Sequence, residues 1–154
     1  MKKKVLEITV RWMCRKDMKD VLRIERESFD EHAWSEEQFM ACLQNRNCIG
    51  MVAEYQGKVV GFMIFETQKT KILLRTVATL SKFRRKGVAS QMIDKLKKRL
   101  GRQRCNQIML EVRETNLPAQ LFLRSLGFRA TDILHGFFVE NDEDAYRMVY
   151  KHAS

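Results

Sequence analysis

A run of three cations leads directly into a glycine in the segment FRRKGVAS, residues 83–90, and small residues then open an amphipathic pattern. The N-terminus of a helix carries unsatisfied N–H groups and a partial positive charge, so it suits a phosphate, and a glycine lets a ligand approach the backbone. Cations at that end oppose the helix dipole by roughly 0.3 kcal/mol or more each unless an anion lies between them. The segment therefore predicts a pyrophosphate site, with a solvated turn as the alternative.

A carboxylate inside the otherwise apolar segment IMLEV is the second group that could do chemistry. Glu111 lies between Leu110 and Val112, and partial desolvation there would suit its side chain to take up a proton, as a general base does. Strand alternation could equally direct Glu111 to solvent. Spacing alone leaves both interpretations open.

Other patterns that carry chemistry are missing from the sequence. Neither G-x-x-x-x-G-K-[ST] nor G-x-G-x-x-G occurs, which excludes a P-loop and a dinucleotide fingerprint. The cysteines show no C-x-x-C pairing, and the histidines do not complete a zinc ligand set. We therefore expect no metal, and reduced, mostly buried thiols at Cys14, Cys42, Cys48 and Cys105.

The composition is that of a basic globular protein. Hydrophobic residues make up 45% of the 154 residues, which suits a single domain over residues 1–154. Lys+Arg 29 against Asp+Glu 19 gives a formal net charge of +10, which favours polyanionic partners. No apolar run approaches the ~20 residues of a membrane span, and the basic N-terminus lacks the apolar region of a signal peptide. We expect a cytoplasmic protein with no membrane partner.

Hydrophobic periodicity predicts a mixed α/β protein with the order β-α-α-β-β-β-α-β-α-β-β. The strands are predicted over LEITVRW, CIGMVAEY, KVVGFMIFETQ, KILLRTVATL, QIMLEVRE and, near the end of the chain, residues 128–134 and 144–151. The helices are predicted over residues 15–29, WSEEQFMACLQN, residues 87–100 and TNLPAQLFLRSLGF.

Local signals fix several boundaries of these elements. Ser35 and Gln38 have the spacing of a capping box, and Gln56-Gly57 predicts a hairpin turn. The third helix is predicted from a stripe that repeats every four residues, formed by Val88, Met92, Leu96 and Leu100. The fourth helix is expected to be capped at its start by Asn116 or Thr115.

The segment RRKGVAS resembles the acyl-CoA loop, Q/R-x-x-G-x-G/A, of GNAT acetyltransferases. The resemblance extends through EVRETN and LFLRSLGF and back to AWSEEQF, and together these segments resemble the RimI-type ribosomal-protein-alanine N-acetyltransferases. It covers nearly the whole chain. It implies the GNAT acyl-CoA N-acyltransferase fold, an α/β class with a mixed sheet, and acetyl-CoA as cosubstrate.

The resemblance also implies which residues contact the cosubstrate. In the family, two central strands splay apart to admit the pantetheine arm, and here these would be the strands that end near Thr79 and Val112. The implied contacts are Val77, Ala78 and Thr79 along the pantetheine, Arg84, Arg85, Lys86, Gly87, Val88, Ala89 and Ser90 around the pyrophosphate, and Asn116. Glu111 matches the position of the family's catalytic base.

The sequence departs from the family pattern at several places, which include the general-acid position, the acceptor region and the loop segment ATLSKF, where family members often have an acidic residue and proline. The family commonly uses a tyrosine of LY-x-x-LGF as general acid, but that position is Leu123 here, so we assign no general acid. A tyrosine pair that often follows the sixth strand is replaced by Phe137 and Phe138, for which acceptor binding and packing both stay open. Trp34 matches a P-W-S segment that lies near the acceptor in the family, and a core position is its alternative.

The resemblance therefore implies an enzyme that acetylates a protein N-terminal α-amine, with a small-subunit ribosomal protein as a candidate acceptor. Such an amine has a pKa of about 7.7–8.0 and is largely protonated at neutral pH, which is why a base is expected. The alternatives are a GNAT enzyme acting on a small amine or a lysine side chain, and a non-catalytic module that binds acyl-CoA or nucleic acid. Nucleic acid is disfavoured, because no aromatic side chain lies between the cations of residues 95–104.

Overall fold

Helices and strands follow one another in the order expected from the sequence. The computed structural model describes residues 5–101 and 104–152. The helices are α1 (Met18–Phe29), α2 (Glu36–Leu43), α3 (Val88–Lys97) and α4 (Leu117–Ser125). The strands are β1 (Thr9–Trp12), β2 (Cys48–Tyr55), β3 (Lys58–Thr67), β4 (Lys71–Thr79), β5 (Gln107–Arg113), β6 (Arg129–Phe138) and β7 (Glu143–Lys151). Within the described ranges, no helix is both long and apolar enough to span a membrane.

The strands form a mixed sheet in the order β1-β2-β3-β4-β5-β7-β6. The first residues of β4 pair in parallel with β5, as a strand–helix–strand crossover through α3 requires. β7 lies between β5 and β6 and is antiparallel to both. β6 is thus an edge strand, and its register with β7 shifts between Ala130 and Asp132 and again between Leu134 and Phe138.

The described residues group into two compact units. The first comprises the residues up to Thr67 together with Leu74–Lys98, and the second comprises Gln68–Leu73 together with the residues from Arg99 onward. The expectation of one domain stays a prediction.

The core of the first unit lies between its two N-terminal helices and the antiparallel strands. Val21 and Ile24 of α1 are completely buried in one cluster with Phe62 and Ile64 of β3. Phe39 of α2 completes this cluster and packs edge-on against Phe62, with 5.7 Å between the ring centroids. Each such side chain contributes about 1.5–3 kcal/mol by leaving water. The apolar faces of α1 and α2 are therefore buried against β3.

α3 packs directly on β3 because residue 61 is a glycine. A Cβ atom at Gly61 would lie 3.0 Å from the carbonyl oxygen of Ala78, 3.1 Å from Met92 Cε and 3.2 Å from Val88 Cγ1. The predicted stripe is confirmed, since Val88, Met92 and Leu96 are all buried. This close approach holds the start of α3 beside the last residues of β4.

β5 alternates between two environments in the second unit. Ile108, Leu110 and Val112 are buried, whereas the residues between them, including Glu111, are half-buried on the opposite face. Leu123 of α4 is also buried in this unit. Glu111 is therefore neither in the apolar core nor fully solvated.

The predicted caps and turn are confirmed. Ser35 and Gln38 form the reciprocal capping box of α2, and the Asn116 side chain caps α4 by accepting a hydrogen bond from Ala119 N. In the β2–β3 hairpin, Gln56 and Gly57 both adopt positive φ values, of 50° and 80°. That geometry is the one a two-residue turn between twisted strands requires.

Two expectations were wrong. β6 does not end near Leu134 but continues to Phe138, so Phe137 lies in a strand rather than in a loop. As an edge strand exposed along most of its length, β6 has no buried face to mark its extent in the sequence.

The thiols are also less buried than expected. Cys105 alone among the described cysteines is buried, Cys42 and Cys48 are half-buried, and Cys14 is exposed. Cys14 precedes a short 3-10 turn at the surface, and the pair at positions 42 and 48 lies where α2 ends and β2 begins. Side chains at the ends of helices and strands are less buried than those at their centres. The general tendency of cysteine to be buried does not take this position into account.

Candidate functional site

The N-terminus of α3 is open to a ligand. Gly87 is the N-cap, with φ 80° and ψ 10°, and it offers no side chain to cap the helix. The N–H groups of Val88, Ala89 and Ser90 belong to the first turn, where no preceding carbonyl can accept from them within the helix. Three uncapped amides at the positive end of a helix are suited to bind an anion.

Hydrogen bonds to three other segments of the chain fix the loop before α3. Arg84 Nε donates to the Thr79 carbonyl oxygen at 3.0 Å, and Arg84 Nη2 donates to Ser28 Oγ at 3.1 Å. The Lys86 carbonyl oxygen accepts from Leu6 N at 3.0 Å. Arg84 thus orients the loop, while the neighbouring Arg85 and Lys86 side chains are exposed. The expected pyrophosphate role is better matched by these two cations than by Arg84.

The end of β4 contains an unsatisfied hydroxyl group. Ala78 and Thr79 are each 7% exposed, and Val77 before them is half-buried. Thr79 Oγ1 has no hydrogen-bond partner within the described residues. A buried polar atom without a partner costs about 1–3 kcal/mol, so a ligand that supplied one would be stabilised at this point.

Trp34 lies at the start of α2, half-buried beside a buried carboxyl group. Its ring centroid is 5.3 Å from that of Phe39, and its backbone N–H donates to Glu25 Oε2 at 2.9 Å. Glu25 is 2% exposed, its Oε1 atom has no partner within the described residues, and burial raises its pKa. Sequence reasoning missed Glu25, although a carboxylate four residues after Val21 on an apolar helix face was a usable signal.

Glu111 is held beside a cation in the second unit. Its side chain is 23% exposed, and Oε1 lies 3.7 Å from Nη2 of Arg147, the residue directly opposite on β7. Arg147 Nη1 also reaches Asp132 Oδ2 on β6, at 4.0 Å. Arg147 Nε is buried without a partner among the described residues. The sequence did not indicate Arg147, because strand register over this distance cannot be read from local pattern.

α4 carries two of the residues singled out from the sequence. Asn116 Oδ1 accepts from Ala119 N at 3.2 Å, so its side chain is engaged in capping the helix. Leu123, at the place of the family's tyrosine, is 2% exposed and packs in the core of this unit. A buried aliphatic side chain at this position has no proton to donate, so it serves packing.

Glu143 organises the start of α4 and the β6–β7 connection. It accepts from Thr115 Oγ1 at 2.5 Å, from Thr115 N at 3.1 Å and from Arg113 Nη1 at 3.1 Å. The Thr115 hydroxyl bond is the largest cause that lowers the pKa of Glu143, to about 2. The Arg113 guanidinium lies 3.7 Å above the ring centroid of Phe138. Phe138 is thereby fixed, whereas Phe137 is 45% exposed.

Sequence comparisons place these features in a family. The profile of the acetyltransferase (GNAT) family matches residues 15–128. An N-alpha-acetyltransferase from Sulfolobus acidocaldarius is 26% identical over 159 aligned positions, which cover 95% of this chain and 94% of that protein. An N-alpha-acetyltransferase from Saccharolobus solfataricus is 34% identical over 74 residues, which cover 47% of this chain and 44% of that protein.

Solved structures share the fold over nearly the whole chain. Ard1 from Thermoplasma volcanium matches with a TM-score of 0.85 and 26% identity, over 96% of this chain and 99% of that one. The ribosomal-protein-S18-alanine N-acetyltransferase from Escherichia coli matches with a TM-score of 0.80 over 96% of each chain, and at 24% identity this likeness concerns the fold alone. The expected fold is confirmed, and the chain belongs to the acetyltransferase (GNAT) family, whose enzymes take their acetyl group from acetyl-CoA.

Proposed function

We propose that this acetyltransferase transfers the acetyl group to the α-amine of a protein N-terminus. The observation that carries the proposal is the likeness, along 95% of the chain, to an enzyme named for N-alpha acetylation. The match to Ard1 over 96% of the chain supports the same class of reaction.

The residues of the first unit fit a cosubstrate that carries a diphosphate. Acetyl-CoA supplies an acetyl thioester as the group to be transferred. The first-turn amides of α3, with the exposed Arg85 and Lys86, would bind its pyrophosphate, and Arg84 would hold the loop in place. The backbone at Val77 and Ala78 would line the pantetheine arm. We also assign Thr79 to this contact, because its buried Oγ1 has no hydrogen-bond partner among the described residues and the pantetheine arm could supply one.

The second unit supplies the proposed base. Glu111 would take the proton that the amine must lose, and Arg147 at 3.7 Å would fix the orientation of the carboxylate. Asn116 would act through its cap, which sets the first turn of α4. No residue is assigned as general acid, since Leu123 is apolar and buried. Water would return the proton to the thiolate.

Three aromatic residues are the proposed acceptor contacts. We assign Trp34, Phe137 and Phe138 to acceptor binding, because aromatic side chains that are not fully buried offer contact area for a peptide. We keep the small-subunit ribosomal protein as a candidate acceptor. The formal net charge of +10 is compatible with an acceptor bound to RNA-rich particles.

A turnover screen with acetyl-CoA tests the acceptor class. Peptides with free N-termini, including ones copied from small-subunit ribosomal proteins, are compared with the same peptides blocked at the N-terminus and carrying an internal lysine, and with polyamines. We expect acetylation of the free N-termini, shown by fragment masses that place the group on the first residue. Turnover confined to lysine or polyamines would instead establish the alternative GNAT activity. Coenzyme A binding with no turnover on any amine would leave the non-catalytic module.

A further inference from the structure

Two cysteines of the first unit lie side by side, and neither acetyl-CoA binding nor the proposed catalysis uses them. The Sγ atoms of Cys42 and Cys48 are 3.2 Å apart. Cys42 is in the last turn of α2, and Cys48 is the first residue of β2. Both are free thiols of intermediate exposure, so a small oxidant can reach them.

The separation of the two sulfurs is close to what a covalent link requires. A disulfide bond is about 2.0 Å long, so the sulfurs need to approach by only about 1 Å, within the reach of small side-chain rotations. The other cysteines have different contacts: Cys14 Sγ lies 3.9 Å from the Trp12 carbonyl oxygen, and Cys105 Sγ lies 3.3 Å from that of Gln68. Selective pairing at positions 42 and 48 follows from this arrangement.

We propose that Cys42 and Cys48 are a redox modification site, at which a reversible disulfide fastens the end of α2 to the start of β2. Residues 44–47 form a short connection that already brings the two elements together, as the Cys48 N–H donates to the Asn45 carbonyl oxygen at 3.0 Å. The link therefore closes a loop that the fold has already formed. The other end of α2 is capped by Ser35, next to the Trp34 that we assign to acceptor binding.

The surroundings of Cys48 disfavour its thiolate form. Burial, followed by the adjacent Cys42 sulfur, raises the pKa of Cys48 to about 12, so its thiol keeps its proton. Arg75, which forms an ion pair with Glu66 at 2.5 Å, lowers the pKa of Cys48 by a smaller amount. Because burial keeps the proton on Cys48, we assign the first attack to Cys42 and the resolving step to Cys48.

The oxidant is a low-molecular-weight disulfide such as glutathione disulfide. The Cys42 thiolate attacks one of its sulfurs, which forms a mixed disulfide and releases one glutathione thiolate. Cys48 then loses its proton and attacks the Cys42 sulfur, which releases the second glutathione thiolate. The two protein thiols are oxidised to one disulfide, their two electrons reduce the oxidant, and the two released thiolates take up the two protons.

Peptide mapping after treatment with glutathione disulfide tests the proposal. Arg46 lies between the two cysteines, so trypsin separates them into the peptides 27–46 and 47–58, each with one cysteine. We expect these peptides to remain joined, with a combined mass lower by two hydrogens, and to separate on treatment with dithiothreitol. Alkylation of the unfolded oxidised protein is expected to label Cys14 and Cys105 alone.

Matched variants control the measurement. Cys42→Ser and Cys48→Ser are each expected to lose the joined peptides, whereas a Cys14→Ser/Cys105→Ser double variant should retain them. The joined state should also raise the melting temperature by up to about 5 °C, because the link restricts the unfolded chain. Stable glutathione adducts at Cys42 without the link, or pairing of either residue with Cys14, would overturn the proposal. This outcome does not depend on the acceptor screen, which uses reduced protein.

Discussion

Arg147 shows how the surroundings of the proposed base are set by single residues on separate strands. It lies opposite Glu111 on one side and beside Asp132 on the other, at 3.7 and 4.0 Å. One guanidinium shared between two carboxylates binds neither in the close bidentate geometry of a strong pair. The Glu111 carboxylate therefore lies beside the cation without a close bidentate bond to it.

Replacing Glu111 tests the proposed base. Glu111→Gln keeps the size of the side chain and removes the carboxylate, so turnover at neutral pH should fall about a hundredfold or more while acetyl-CoA affinity stays nearly unchanged. Steady-state kinetics and calorimetry measure the two quantities. Glu114→Gln is the matched control, because this exposed carboxylate lies just past the end of β5. Equal turnover of both variants would remove Glu111 from the mechanism.

Glu143 predicts a pH dependence of stability. Its hydrogen bonds from Thr115 and Arg113 lower its pKa to about 2, compared with about 4.5 in the unfolded chain. A carboxyl group with a lowered folded pKa stabilises the protein above its unfolded pKa, and this contribution is lost as the pH falls from about 4.5 toward 2.

Melting temperatures of wild type and Glu143→Gln, measured from pH 7 down to pH 3, test this dependence. The variant should melt lower at pH 7, since glutamine cannot accept the same bonds, and the difference should narrow below about pH 4.5. If the difference in melting temperature stayed constant over this range, the bonds from Thr115 and Arg113 would not favour the ionised carboxyl group over the protonated one.

Residues of the proposed site can be read from the sequence where residue type and local position coincide. Gly87 after three cations, and Glu111 within an apolar strand, are visible in a few letters of sequence. Arg147 and Glu143 could not be found in this way. Their partners, Glu111 and Thr115, lie 36 and 28 residues away along the chain. Such pairs exist only once the register between strands is fixed.

At the scale of elements, the start of α3 depends on a glycine conformation. Gly87 has a φ of 80°, and a Cβ atom there would lie 3.0 Å from Val5 Cγ1. Gly87→Ala should therefore weaken the binding of coenzyme A and acetyl-CoA about tenfold, which corresponds to about 1.4 kcal/mol. The backbone would move to relieve the strained φ and the contact with Val5, and this movement would displace the first-turn amides. Calorimetric titration with coenzyme A measures the change.

Gly57→Ala is the matched control for this change. Gly57 also has a φ of 80° but has no atom within 4 Å of a Cβ position. Both substitutions carry the strain of about 1 kcal/mol in the left-handed region, so both should lower stability. Only the change at Gly87 should alter coenzyme A affinity. Equal affinity of the two variants would contradict the assignment of the pyrophosphate to α3.

The elements themselves were more predictable than their ends. The stripe of α3 and the caps at Ser35 and Asn116 were confirmed, because they depend on periods and spacings within one segment. The predicted end of β6 was wrong, since among the described residues this strand pairs only with β7 and has no completely buried face. The signal for such a strand lies in its partner rather than in its own sequence.

At the scale of the whole molecule, the formal net charge of +10 predicts a dependence on salt. A phosphorylated cosubstrate is attracted by this charge, and mobile ions screen the attraction over about 10 Å at 0.1 M. The KM for acetyl-CoA should rise several-fold between about 0.05 and 0.5 M NaCl, with a smaller effect on kcat.

The slope of this dependence tests where the charge acts. An Arg85→Gln/Lys86→Gln double variant should show a higher KM at low salt and a flatter rise. An unaltered slope would mean that the attraction comes from the general surface rather than from the loop before α3. A Lys69→Gln/Lys71→Gln variant, which removes the same charge from the β3–β4 turn and the start of β4, serves as control.

The exposed margin of the sheet has a consequence for association between molecules. β6 terminates the strand order and is interrupted by two shifts of register, and it carries charged side chains at Arg129 and Asp132. Irregular, charged edges are poor templates for a strand from another copy, because few consecutive backbone groups remain in line to pair. The protein should consequently resist fibrillar aggregation at high concentration even though this edge is uncovered.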